Sequence, residues 1–112
     1  MNLIIHRGTH EIGGSCVELK TENSRVLLDF GILLVSCDHQ PFDVNLLKGK
    51  TIEEIKTQGI LPDMKGLYKD EKKGIDEILI SHSHLDHYGF LQHVNPEIPI
   101  YLSQGAGLLI FL

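Results

Sequence analysis

The chain is poor in the features that usually assign a protein quickly. It has two cysteines among 112 residues, Cys16 and Cys37, far apart and in no CxxC pair. That spacing suggests neither a disulfide framework nor a thiolate zinc site. No apolar run reaches membrane-spanning length; Gly107 to Leu112 is the longest candidate and far too short. The opening MNLIIHRGTHE has no charged leader followed by a long apolar region, which predicts no secretion signal and a cytoplasmic address. Basic blocks are also missing. The formal net charge is −5, a balance that speaks mildly against nucleic-acid binding unless bound divalent cations make an acidic region locally positive. Glycines 8, 13 and 14 do not form GxGxxG and precede a strand, so a dinucleotide loop is rejected. Internal repeats and low-complexity segments are absent.

What remains is one compact domain with an ordinary apolar fraction of 42%. The first third predicts a β-meander: Leu3–His6, Cys16–Leu19 and Arg25–Phe30 as strands, with TENS as a turn, pairing antiparallel. Residues 36–74 are rich in Pro, Gly, Asp and Lys and predict irregular chain. Within them TIEEIKTQG predicts a short helix, with Thr51 as N-cap, Glu54 completing a capping box and Gly59 at the stop. Order returns with IDEILISH as a buried strand. A helix carrying Tyr88, Leu91 and Val94 is then expected to end at Asn95-Pro96, followed by a strand at IPIYLS and a helix at SQGAGLLIFL. Strand, loop, helix, strand is an αβ unit, and the class is α/β.

The densest chemistry is ISHSHLDHYG at 80–89, which holds His82, His84, Asp86 and His87. In extended chain, positions i and i+2 point to the same side, so His82 and His84 can reach one cation. Asp86 and His87 lie where loop becomes helix, diverge from that pair, and can address a second cation nearby. Imidazole and carboxylate without thiolate suit zinc, with manganese or iron also compatible. Gly89 is expected to let the helix run close to the metals. The plain alternative is a polar loop whose histidines cap the helix and face water. Four ligand types at this spacing behind ILIS favour the metal reading.

SHSHLDHYG resembles the HxHxDH motif of the metallo-β-lactamase fold, and HRGTHEIGGSCVEL followed by RVLLDFG resembles the opening strands of its ribonuclease J and β-CASP branch. The resemblance implies the N-terminal half of an αββα sandwich in residues 1–112, truncated relative to the family. It implies two divalent ions, His82 and His84 on the first, Asp86 and His87 on the second, with Asp86 also catalytic as orienter of the nucleophile. Asp29 would then support the metal loop from beneath, or else is a strand-end turn residue; Ser81 reads as strand-end polarity. The implied activity is a binuclear metal-dependent hydrolase that cleaves RNA phosphodiesters with a metal-activated water once the fold is complete. The family's remaining ligands would lie beyond Leu112. The alternatives are a thioesterase or small-ester hydrolase of the same fold, as in the glyoxalase II-like branch, and a non-catalytic metal-binding fragment. A half-sandwich would expose a sheet face and edge strands, so self-association or completion by another chain is expected. His10 reads as a solvated turn residue, His6, His39 and His93 as structural or exposed, Cys16 as a small buried residue and Cys37 as a loop residue without an activating base.

Overall fold

The structure, a computed structural model, describes residues 1–9, 12–35 and 38–110. His10, Cys37 and the last two residues of the terminal apolar stretch therefore lie outside the described residues. Five strands form the main sheet in the order β1-β3-β4-β6-β7: β1 Asn2–Arg7, β3 Cys16–Lys20, β4 Arg25–Leu28, β6 Glu77–Leu79 and β7 Ile100–Tyr101. The first three pair antiparallel, as the short connections predict. β4–β6 and β6–β7 pair parallel, each after a longer crossover. A two-stranded sheet of β2 (Ile12–Gly13) and β5 (Leu33–Val35) sits apart from the main one. Strands of two and three residues leave no periodicity to detect in the sequence.

Helix α1 spans Ile52–Thr57. Thr51 Oγ1 accepts the Glu54 amide at 3.2 Å, and Gly59 at φ 76° ends the turn, as expected from the sequence. Helix α3 occupies Gln104–Ile110. The single helix expected around Tyr88, Leu91 and Val94 does not form. In its place are α2, Leu85–Tyr88, and a separate 3-10 turn, Leu91–His93. The cause is competition for backbone groups. Phe90 N–H donates to Phe30 O (3.1 Å) and Asp86 O accepts from Ser15 N–H (3.2 Å), so the i→i−4 bond between Phe90 and Asp86 is replaced from both ends.

The core lies on one side of the sheet. Leu27 and Ile78 are paired in register and face Ile55, Leu61, Met64, Leu67, Tyr68 and Ile75. Phe30 is central, 6.1 Å from the Tyr68 ring and 5.9 Å from that of Phe90. Burying one such aromatic stabilises by about 1.5–3 kcal/mol. Charged groups share this face, the buried Arg7 and Glu18 among them. Glu18, 2% exposed, accepts from Arg25 Nε at 2.7 Å and sits 2.9 Å from His6 Nε2. Arg25 reaches on to the carbonyls of Lys65 and Gly74, tying the irregular 60–75 segment to the strands. Burial alone would raise the Glu18 pKa, but the hydrogen bonds from Arg25 and His6 outweigh it and hold the carboxyl below its ordinary range.

The opposite face is apolar and open. Register places Leu3, Ile5, Val17, Leu19, Val26, Leu28, Leu79 and Tyr101 side by side there, and none is buried. The architecture is thus α/β, a mixed sheet with helices and loops on one side. This accords with a partial α/β domain, and the second sheet of an αββα sandwich is not seen among the described residues.

Candidate metal centre

The motif residues gather beyond the carboxyl ends of the parallel pair β4–β6, a usual position for α/β sites. The register sets Leu28 opposite Leu79. Asp29 N–H continues the ladder by donating to Leu79 O at 2.8 Å, which brings Asp29 beside Ser81. Asp29 then adopts φ 61°, a left-handed conformation that aspartate tolerates better than most residues. This turn points its carboxylate upward and drives Phe30 into the core.

The carboxylate is fully used. Asp29 Oδ1 accepts from Ser81 N–H at 2.7 Å; Oδ2 accepts from Ser81 Oγ at 2.7 Å and from His87 Nδ1 at 2.8 Å. Both Asp29 oxygens are thus hydrogen-bonded to the motif loop, at Ser81 and His87. Ser81 is more than strand-end polarity, since its hydroxyl also lies 2.9 Å from His82 Nδ1 and 3.3 Å from His87 Nδ1. The Asp29–Ser81 contacts were not legible in the sequence, because 52 residues separate the partners.

Two glycines let the loop settle. A Cβ on Gly31 would lie 1.6 Å from Asp86 O, and one on Gly13 would lie 2.9 Å from Asp86 Cβ. Around them Phe30 N–H donates to His87 O (2.8 Å), Ile32 N–H to Leu85 O (2.9 Å) and Gly31 N–H to Ser15 O (3.1 Å). At Gly89 a Cβ would meet Ile32 Cβ and Leu85 O, each at 2.7 Å. The glycine permits close packing against the turn after β4.

His82 and His84 lie with ring centroids 4.7 Å apart, edge to face. His84 is the N-cap residue of α2 yet makes no side-chain cap bond, so capping does not explain its ring. The spacing predicts that His87 turns away from the first pair. Instead its ring centroid lies 3.7 Å from that of His82, because the Asp29 anchor draws it inward. His6 bonds Glu18 and is structural, away from the motif. Burial and the nearby Lys69 lower the His93 pKa, and no motif residue adjoins it. Cys16 is 1% exposed with its pKa pushed up to about 12 by burial, an inert thiol.

Among the described residues, no group of three or more His, Cys, Asp or Glu side chains converges on one point as a finished metal site. One pair of donors nevertheless has a separation that suits a shared cation. His87 Nε2 and Asp86 Oδ2 are 3.3 Å apart. That is close to the separation of about 3.3 Å that a tetrahedral zinc sets between two ligands at about 2.0–2.1 Å. With its Nδ1 hydrogen committed to Asp29, His87 turns Nε2 toward a carboxylate oxygen, and that gap calls for a proton or a shared cation.

No protein-family model matches the chain. It is similar to "Probable RNase MJ4" of Methanocaldococcus jannaschii, with 31% identity over 98% of this chain and 21% of that protein. Similarity extends to an "RNase J-like protein" of the same organism, 32% identical over 78% of this chain and 14% of the relative. A third relative is "Transcription termination factor FttA" of Methanothermobacter thermautotrophicus, 33% identical over 84% of this chain and 12% of the relative. The chain thus spans about a fifth or less of these curated relatives, and the similarities indicate a ribonuclease J-related origin. A crystal structure of a protein of unknown function from Enterococcus faecalis superposes with a TM-score of 0.75 at 24% identity, covering 96% of this chain and 26% of that one. It shares the fold of the region.

Proposed function

We propose that the chain carries part of the active centre of a metal-dependent hydrolase that cleaves RNA phosphodiesters. The single observation that supports this most is the Asp29–Ser81–His87 cluster, hydrogen-bonded beneath His82, His84 and Asp86 at the end of the parallel strands. A structural loop has no need of three imidazoles packed together over a buried carboxylate. The names of the relatives favour RNA over a thioester as substrate.

In this reading His82 and His84 hold one divalent ion, and Asp86 with His87 holds a second, zinc being best suited to the donor set and manganese or iron compatible. Divalent ions bound there supply a lowered pKa for water and charge stabilisation on the phosphate oxygens. The chain's own residues set the geometry. Asp29 orients His87 through Nδ1, and Asp86, whose carbonyl accepts from Ser15 N–H and packs against Gly31, turns its carboxylate toward His87 Nε2. Asp86 also orients the attacking water. Two protein ligands per ion is one fewer than catalytic zinc usually has. The remaining ligands and the general acid for the leaving oxygen come from further polypeptide, whether joined to this chain or supplied by another.

The test is titration with Zn²⁺ and Mn²⁺ by calorimetry, alongside cleavage of end-labelled RNA. Saturable binding that D86N and H82A abolish supports the reading. Failure of wild type to bind either ion above the level of an H82A/H84A/H87A variant would overturn it.

A further inference from the structure

Resting on that metal-centre reading, we propose that Ser81 is a positioning residue that fixes which ring nitrogen His82 presents to the open side of the site. An ionised carboxylate only accepts, so across the 2.7 Å contact to Asp29 Oδ2 the single hydroxyl hydrogen of Ser81 is donated. The Ser81 oxygen is then left with lone pairs alone. His82 Nδ1, 2.9 Å away, must therefore carry a hydrogen and donate it. His82 Nε2 is thereby unprotonated and available as a ligand. The same balance of hydrogens applies to His87, whose Nδ1 faces two acceptors, Asp29 Oδ2 at 2.8 Å and Ser81 Oγ at 3.3 Å.

One buried carboxylate thus sets both histidines, directly for His87 and through one hydroxyl for His82. Ser81 itself is solvent-exposed, whereas Asp29 is buried, so the anchor is firm and the relay is open to replacement. Hydrogen-bond partners of this kind commonly change metal affinity about 10–100-fold when removed. The relay also couples the two halves of the motif, since His82 belongs to the first ligand pair and His87 to the second.

The test is long-range ¹H–¹⁵N correlation of the imidazoles in metal-free, ¹⁵N-labelled protein at about pH 8, above the ordinary imidazole pKa of about 6.5. Wild type is expected to show His82 with hydrogen on Nδ1. S81A is expected to lose that signature at His82 while keeping it at His87, and S81T to retain it at both. Zn²⁺ affinity is expected to fall about 10–100-fold in S81A and to recover in S81T. An unchanged His82 tautomer in S81A, or loss of the Nδ1 hydrogen in S81T, would overturn the proposal. The expected tautomers in a protein that binds no Zn²⁺ would support the role of Ser81 while refuting the metal-centre reading, so the two failures are distinct.

Discussion

Substituting Gly31 by alanine should destabilise the protein severely, and its cost can be worked from contacts. The added Cβ would sit 1.6 Å from Asp86 O, 2.1 Å from Asp86 C and 2.7 Å from His87 N. Backbone must retreat by roughly 2 Å to regain van der Waals distance. Gly31 does not need a positive φ, so the penalty is steric alone. Such a retreat strains four backbone hydrogen bonds, at Phe30, Ile32, Gly31 and Ser15. Losing two of them at about 1 kcal/mol each, with about 1–3 kcal/mol of overpacking, gives about 3–5 kcal/mol. A small domain has only about 5–15 kcal/mol in total. In urea unfolding followed by far-ultraviolet circular dichroism, with a slope of about 1–3 kcal/mol/M, the midpoint should drop by about 2 M. G105A is the matched control, since a Cβ there meets no heavy atom within 4 Å and removes a helical glycine. It should stabilise by up to about 1 kcal/mol. Coincident curves for G31A and wild type would show that the ligand loop does not rest on the turn after β4, and the account of the site would fall with it.

Stability should decline in acid partly through Glu18. Its folded pKa lies below the ordinary carboxylate value, so its contribution is present above about pH 4.3 and is lost as pH falls through the folded value. Melting temperature against pH should fall less steeply at the acid end for E18Q, and a parallel profile would exclude Glu18 as a source of acid lability. Removing the group outright, E18A, takes the carboxylate from Arg25, which keeps the Lys65 and Gly74 carbonyls, and should cost about 1–3 kcal/mol by chemical denaturation. Asparagine tolerates the φ of 61° at position 29, so D29N should fold but bind Zn²⁺ about 10–100-fold more weakly in calorimetric titration. Equal affinity would mean that Asp29 does not orient His87. In a C37S background, Cys16 should resist a disulfide reagent in the folded protein and react fully once unfolded; rapid native labelling would contradict its burial.

Local signals were readable in the sequence. The Thr51 cap and Gly59 stop placed α1, alternation placed β3, short apolar runs placed β1 and β4, and the histidine spacing marked side chains that the fold keeps close together. What could not be read was long-range. Nothing near Ser81 announces that Asp29 will lie against it, and nothing in HYGFLQHV shows that Phe30 and Ser15 will take the backbone bonds a continuous helix needs. Gly31 and Gly89 are likewise explained only by the segments pressed against them. The same limit applies to His87, whose direction is set by a carboxylate from another strand.

The parallel pairing of β4 with β6 also dictates an order of events. β1, β3 and β4 are near neighbours along the chain and can find one another with little loop to close. β6 must wait for the long stretch between Leu28 and Glu77 to be gathered, at a greater entropic cost. The Asp29–Ser81 contact closes only after that step, so the centre is a late product of folding. Mutations confined to it should therefore speed unfolding more than they slow folding. A cation bound there would act as a latch on the slowest-formed part of the chain, lengthening the lifetime of the native state with little effect on how fast it is reached.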